Sequence, residues 1–223
     1  STLSSSSAAS DVYKRQTLSV ASLDADGAAT YTFYVDGTAD RQAEPVPVSG
    51  GYAVFGTLSL ALEPASLRYA EAARLSADAG AVVCLDPNIR PAFASEKHRL
   101  FLRGMLVAVT VLKLSDEEVE FLGDTSHVPV VVTTLGGGGI RVRAPFGTAE
   151  VQAPQVEVAD TIGAGDTVMA ALVHQFDARG LDRCALLDLG EEEWREILDF
   201  AARAAAVTVS RTGADTPYLH ELG

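Results

Sequence analysis

The stretch 160-DTIGAGD-166, from Asp160 to Asp166, decides how this chain is read. Gly163, Ala164 and Gly165 strip the chain almost to its backbone between the two aspartates. An apolar series with helical spacing follows: Val168, Met169, Leu172, Val173 and Phe176. Glycines just before a helix let a ligand approach the backbone closely. The helix N-terminus then offers unpaired N–H groups and a partial positive charge. The stretch therefore reads as an anion cradle opening a helix after Gly165. Asp166 stands at its mouth, where a carboxylate repels an anion unless it has a chemical task. That task is to take a proton from a hydroxyl about to attack phosphorus. The same residues also allow a plainer reading, in which the glycines make a tight turn and Asp166 caps a helix. No Gly-Lys-Ser/Thr follows, so this is not a Walker loop.

Upstream, apolar strands alternate with amphipathic helices. "YAVFG" (52–56), "AVVCLDP" (81–87), "VAVTVLKL" (107–114) and "VPVVVTTL" (128–135) read as strands. Helices are expected in 63-EPASLRYAEAARLSADAG-80, with Pro64 near the start and Gly80 past the end, from about Ser95 to Met105 and over 115-SDEEVEFL-122. The last of these places acids in its first turn, as the helix dipole favours. The fourth strand runs into the four glycines 136–139, and a hairpin, 140-IRVRAPFGTAEVQA-153, comes next. Two helices close the chain, one after Gly165 and one from Glu191 to Ser210, with Trp194 anchoring the latter in the core. Near the start, 17-TLSVASLDADGAATYTFYV-35 reads as two strands with a turn at Asp24–Gly27. Val20, Tyr31, Phe33 and Val35 suit half-buried positions there. This rhythm predicts an α/β fold: a mostly parallel sheet covered on both faces, with the opening hairpin as a flap at its edge.

Bulk properties narrow the function. The 223 residues suffice for one sizeable domain, and at 48% hydrophobic a packed core is expected. The net charge of −13 argues against a nucleic-acid surface. An anionic ligand must be held by backbone N–H groups, a few Arg or Lys, or a metal ion. Cys84 and Cys184 lie far apart and form no metal-ligand cluster, which favours a reducing, cytoplasmic location. No apolar run reaches membrane-spanning length, and no stretch given resembles a secretory signal. His98, His127, His174 and His220 join no motif. Residues 1–16, Ser/Ala-rich and without period, read as a flexible leader or a foreign junction.

"DTIGAGDTVMAAL" resembles the signature of the ribokinase-like sugar kinases, the PfkB family. "SLDADG", "DPNIRP", "KLSDEEVEFL", "VVVTTLGGGG" and "AARAAAVTVSRTGA" resemble the same family in the same order. "LDPNIRP" with "KLSDEE" is most similar to bacterial fructokinases. The resemblance runs from Thr17 to the C-terminus and implies a ribokinase-like three-layer sandwich with a small β lid. It divides the chain into a leader (1–16), a lid region (17–50) and a nucleotide-binding core (51–223). It further implies ATP-dependent phosphorylation of a sugar hydroxyl, most simply of fructose, with ATP, Mg²⁺ and in some members K⁺. A homodimer is implied for the parent enzyme, with no nucleic-acid or membrane partner.

Carried over by position, the resemblance makes Asp166 the general base and Gly163, Ala164 and Gly165 the anion hole. Thr134, Gly136 and Gly139 would line the nucleotide site. Asn88 and Arg90 would lie near the sugar or the phosphate. Glu118 would organise Mg²⁺ through water, although Ser115 stands where the family often has Asn. Asp160 and Ile162 would help bind a monovalent cation. Each has a plainer counterpart: Glu118 as a first-turn helix acid, the glycines 136–139 as a flexible approach to a hairpin, Asp86–Pro87 as a strand-ending turn, Arg90 as a surface charge, and the alanine-rich last helix as packing that also touches adenine.

The family's N-terminal segment, with its sugar-binding Asp and Gly-Gly motif, has no counterpart here. The chain is therefore expected to be an N-terminally truncated kinase that keeps the nucleotide half and lacks much of the sugar half. Sugar affinity and orientation should suffer accordingly, and apolar sheet edges should be exposed. The alternatives are a nucleotide-binding fragment without turnover, or a nucleoside kinase of the same fold. A dinucleotide-binding dehydrogenase is disfavoured, because no Gly-x-Gly-x-x-Gly follows a first strand.

Overall fold

The computed structural model describes residues 15–23 and 29–222. The turn expected at Asp24–Gly27 and most of the leader lie outside them. Two sheets are present. Strands β1 (Leu18–Leu23) and β2 (Ala29–Tyr34) pair antiparallel as a separate hairpin. The main sheet contains β3 (Tyr52–Gly56), β4 (Val82–Asp86), β5 (Val111–Ser115), β6 (Val130–Thr134), β7 (Ile140–Ala144) and β8 (Gly147–Val151), in that spatial order. Neighbours from β3 to β6 run parallel, and β7 and β8 continue the sheet antiparallel. The helices are α1 (Ala65–Asp78), α2 (Glu96–Met105), α3 (Asp116–Leu122), α4 (Ala164–Ala178), α5 (Arg183–Leu187) and α6 (Glu191–Val209).

The continuous apolar strands are explained by burial on both faces. Side chains alternate across a strand, so each strand feeds two cores. Val82, Cys84, Val111, Val130 and Val132 pack toward α4 and α6, around Leu172, Phe176, Trp194 and Ile197. Val83, Leu85, Leu112, Leu114 and Val131 pack toward α1, α2 and α3, around Ala73, Leu102 and Leu122. Trp194 is fully buried and meets Phe176 edge to face at 5.9 Å, as its anchoring role requires. The expected α4 series is borne out in Val168, Met169, Leu172 and Phe176, all buried, with Val173 partly buried beside them.

Several boundaries differ from expectation. The strand expected from Val107 starts only at Val111, because residues 106–108 form a 3₁₀ turn that ends α2. The glycines 136–138 form another such turn rather than a free approach. Three helices, not two, close the chain. The short α5 escapes a periodicity test by its length, and its Asp182 accepts a hydrogen bond from the Ala185 N–H as an N-cap. Of the four histidines, His98 is buried and stacked on Phe101, while His174 stacks on Phe200.

The hairpin lies over the carboxyl end of the main sheet. Phe33 of β2 sits 5.5 Å from Phe93, in the loop that follows β4. At one end of the main sheet β3 pairs only with β4 among the described strands, and Val54 is 52% exposed there. A cavity of about 670 Å³ runs beside it, lined by Tyr52, Val54, Met169 and Val173.

Thiol chemistry offers a direct check on the two-faced burial. Cys84 is fully buried on β4, and desolvation pushes its thiol up to about 12. Cys184 on α5 is exposed. Iodoacetamide at pH 8 should modify Cys184 readily in the native protein and Cys84 only in denaturant. Mass spectrometry after trypsin reads both sites, and rapid native labelling of Cys84 would contradict this packing.

Candidate active site

The parallel strands place their carboxyl ends along one side of the sheet, and loops there carry most of the signature residues. Open α/β sheets bind ligands at that edge. The Asp160–Asp166 stretch crosses it and turns into α4. Gly163 is the N-cap of α4 with φ +79°, a left-handed backbone that suits glycine. A Cβ there would also stand only 3.2 Å from the Cβ of Ala214. The helix begins at Ala164, so Gly165 and Asp166 belong to its first turn and not to a loop before it. The Ala164 N–H donates to the Thr161 carbonyl, whereas those of Gly165 and Asp166 find no backbone acceptor outside the helix among the described residues. These are the orphan donors that a helix start leaves available. Asp166 is exposed at this point.

Two cavities meet at the cradle. One, of about 370 Å³, extends between the glycine turn after β6, the 153–158 segment and α6, and includes Thr134, Gly136, Gly139, Ala202 and Ala206. The other, of about 630 Å³, reaches toward the loop after β4, with Asn88, Arg90, Glu118, Gly163 and Asp166. Thr134, Thr161 and Gly165 line both. The structure thus gathers Asp166, Gly163, Ala164, Gly165, Thr134, Gly136, Gly139, Asn88, Arg90, Glu118 and Ile162 around one groove. The alanine face of α6 serves both of its expected uses: Ala202 and Ala206 are buried against the core and still line the smaller cavity.

Asp160 stands just behind the cradle. Its two oxygens accept hydrogen bonds from the N–H groups of Ile162 (3.0 Å) and Gly213 (3.0 Å), tying the signature loop to the turn after α6. These bonds hold its carboxyl below the usual aspartate value. Glu118 is 8% exposed and serves as more than a surface helix acid. One oxygen completes a capping box by accepting from the Ser115 N–H at 2.8 Å. The other accepts from the Ile89 N–H at 2.6 Å, which fixes the Asn88–Arg90 loop. Asn88 itself adopts φ +46°, an uncommon conformation for a residue with a side chain.

Sequence reasoning missed one pair. Lys113 of β5 donates to Asp86 of β4 at 2.6 Å, with side chains 6% and 8% exposed. The register explains the meeting: Leu85 faces Leu112, so the next residues, Asp86 and Lys113, are also neighbours and point to the α4 side. The available signal was a lone lysine inside an apolar run, one strand away from a strand-ending aspartate. Burial pushes the Asp86 carboxyl above its usual value; Lys113 pulls it down, and the nearby Glu118 and Asp166 carboxylates add to the rise. The other Asp86 oxygen, Oδ1, has no protein donor among the described residues.

A groove with backbone N–H donors at a helix start, an exposed carboxylate beside them and two adjoining cavities is compatible with phosphoryl transfer. Comparison with known proteins gives the family. Residues 4–221 match the profile of the pfkB family carbohydrate kinases, so the chain belongs to that family. That match takes in most of the opening segment as well. Fructokinase-2 of Solanum lycopersicum is 27% identical over 221 residues, covering 90% of this chain and 66% of the relative. The chain therefore spans about two thirds of the length of the curated relatives it resembles. The fold is that of a fructokinase from Xylella fastidiosa with bound ATP, at TM-score 0.80 and 24% identity over 94% of this chain and 72% of that one. A double mutant of the Vibrio cholerae O395 fructokinase, with fructose, ADP and a potassium ion bound, aligns at TM-score 0.74 and 23% identity over 92% and 71%. The ribokinase-like α/β sandwich expected from the sequence is thus the fold observed. No helix among the described residues is long and apolar enough to cross a membrane.

Proposed function

We propose that this chain carries the phosphoryl-transfer machinery of an ATP-dependent fructokinase-type sugar kinase. One observation carries the reading. Asp166 and the N–H groups of the α4 first turn lie where two cavities join, so a nucleotide in one and an acceptor hydroxyl in the other would meet at the cradle. In this reading ATP enters between Thr134, Gly136, Gly139 and the alanine face of α6. Its terminal phosphoryl group rests on the Gly163–Asp166 backbone, whose fixed dipoles oppose the charge that grows during transfer. Asp166 takes the proton of the attacking hydroxyl. Asn88 and Arg90 face the acceptor side, under the β1–β2 hairpin acting as a lid. Fructose as the acceptor is supported by the names of the relatives.

Mg²⁺ belongs to the same proposal. No cluster of three or more His, Cys, Asp or Glu suited to hold a metal occurs among the described residues. The ion would be bound chiefly by phosphates and water, with Glu118 meeting it through water. Ile162 borders the groove and Asp160 stands just behind it, where a monovalent cation would support the cradle. A cytoplasmic location and a homodimeric parent enzyme complete the reading.

The test is ADP release from MgATP with and without fructose. Fructose-dependent release supports a fructokinase. Adenosine outperforming every hexose would make the protein a nucleoside kinase of the same fold. MgATP binding with no acceptor-dependent release would leave a nucleotide-binding module and overturn the kinase activity.

A further inference from the structure

We propose that Lys113, carried on the buried Asp86 carboxylate, is the cation that grips the terminal phosphoryl group of the nucleotide. The proposal rests on the nucleotide reading above and adds a residue to it. Lys113 Nζ lies 3.1 Å from where a Cβ of Gly165 would stand. A side chain at Gly165 would press on the ammonium group, which would have to give by a few tenths of an ångström. That group lines the cleft together with Gly163, Gly165 and Asp166.

Its position is costly unless an anion arrives. The N-terminus of α4 carries the positive end of the helix dipole, which repels a cation. Burying an ion pair also gains little or nothing in stability compared with apolar residues of the same shape. Moreover, an ammonium group has three donors, and the bond to Asp86 Oδ2 is the one hydrogen bond of Nζ found among the described residues. A phosphoryl group seated on the α4 amides would lie between the helix dipole and the ammonium and would be attracted by both. Asp86 then acts as a positioning residue. It holds Lys113 at the cradle and, with Glu118 and Asp166, makes the pocket too negative to accept a phosphate without this cation. In a chain of net charge −13, that local compensation is needed.

The experiment compares the binding of ADP with that of an ATP analogue carrying a non-hydrolysable β–γ bridge. Titration calorimetry on the full chain, with Mg²⁺ present, would use the wild type, Lys113→Met, and the double variant Asp86→Leu with Lys113→Met. The double variant removes both charges together, so no carboxylate is left buried alone and folding is preserved. Its unfolding midpoint checks this. Both variants should lose about tenfold or more in affinity for the ATP analogue, while ADP affinity stays within about twofold. Unchanged affinity for the analogue in the folded double variant, or an equal loss for both nucleotides, overturns the role of Lys113 and leaves the nucleotide site standing. A wild-type chain that binds neither nucleotide overturns the nucleotide reading and the Lys113 proposal with it.

Discussion

Asp166→Asn should lower fructose-dependent turnover by about a thousandfold, since a positioned general base contributes roughly 10²–10⁴ in rate. The amide keeps the shape of the side chain but takes no proton at neutral pH. Nucleotide affinity should hold or rise slightly, because a negative charge has been removed from the mouth of an anion cradle. That opposite movement of turnover and binding distinguishes loss of the base from general damage, which lowers both. The structure favours a clean result. Asp166 is exposed in the first turn of α4, and no hydrogen bond or ion pair of its side chain occurs among the described residues. Steady-state kinetics on the full protein, paired with calorimetry for MgATP, gives both quantities. Turnover within tenfold of wild type would remove Asp166 from the role of base.

Trp194→Ala should be the most damaging single change to stability. The side chain is fully buried where α6 meets α4 and packs edge to face on Phe176. Removing a buried aromatic of this size costs about 3–5 kcal/mol through lost transfer energy and the cavity left behind. In a domain of this length that lowers the thermal midpoint by roughly 10 °C. The indole N–H has no protein acceptor among the described residues. Packing, not a hydrogen bond, is therefore what the change removes. Trp194→Phe should accordingly retain much more of the stability than Trp194→Ala. Circular dichroism on thermal unfolding measures all three proteins. A loss below about 1 kcal/mol for the alanine variant would contradict the packing of α6.

Most of the layered fold, and the stretch at the centre of the proposed site, could be read from residue order. Apolar strands bounded by turn residues, and helices with apolar faces, are local patterns with periods of two and about three and a half residues. They marked β3, β4, β6, α1, α2, α3, α4 and α6. The glycine-rich turn before an amphipathic run located the cradle, and the family resemblance attached roles to Glu118, Thr134 and Arg90. Local pattern was weaker where a few residues decide the outcome. It placed Gly165 before the helix that contains it, missed the five-residue α5, and took residues 107–108 of a 3₁₀ turn as strand.

What residue order alone determined was which segments bury their faces, and where a backbone is bare enough to meet an anion. Tertiary structure alone decided what stands around that backbone. Asp86 and Lys113 are 27 residues apart and meet because β4 and β5 are neighbours in a particular register. The same is true of Asp160 and Gly213, which are 53 apart, and of Glu118 and the Ile89 N–H, which are 29 apart. Periodicity reports a residue's face, but not its neighbour on the next strand. Register is set by the packing of both sheet faces at once. Gly165 shows both levels in one residue: its place in the motif is visible in the chain, and its close approach to the ammonium group of Lys113 exists only once the sheet has formed.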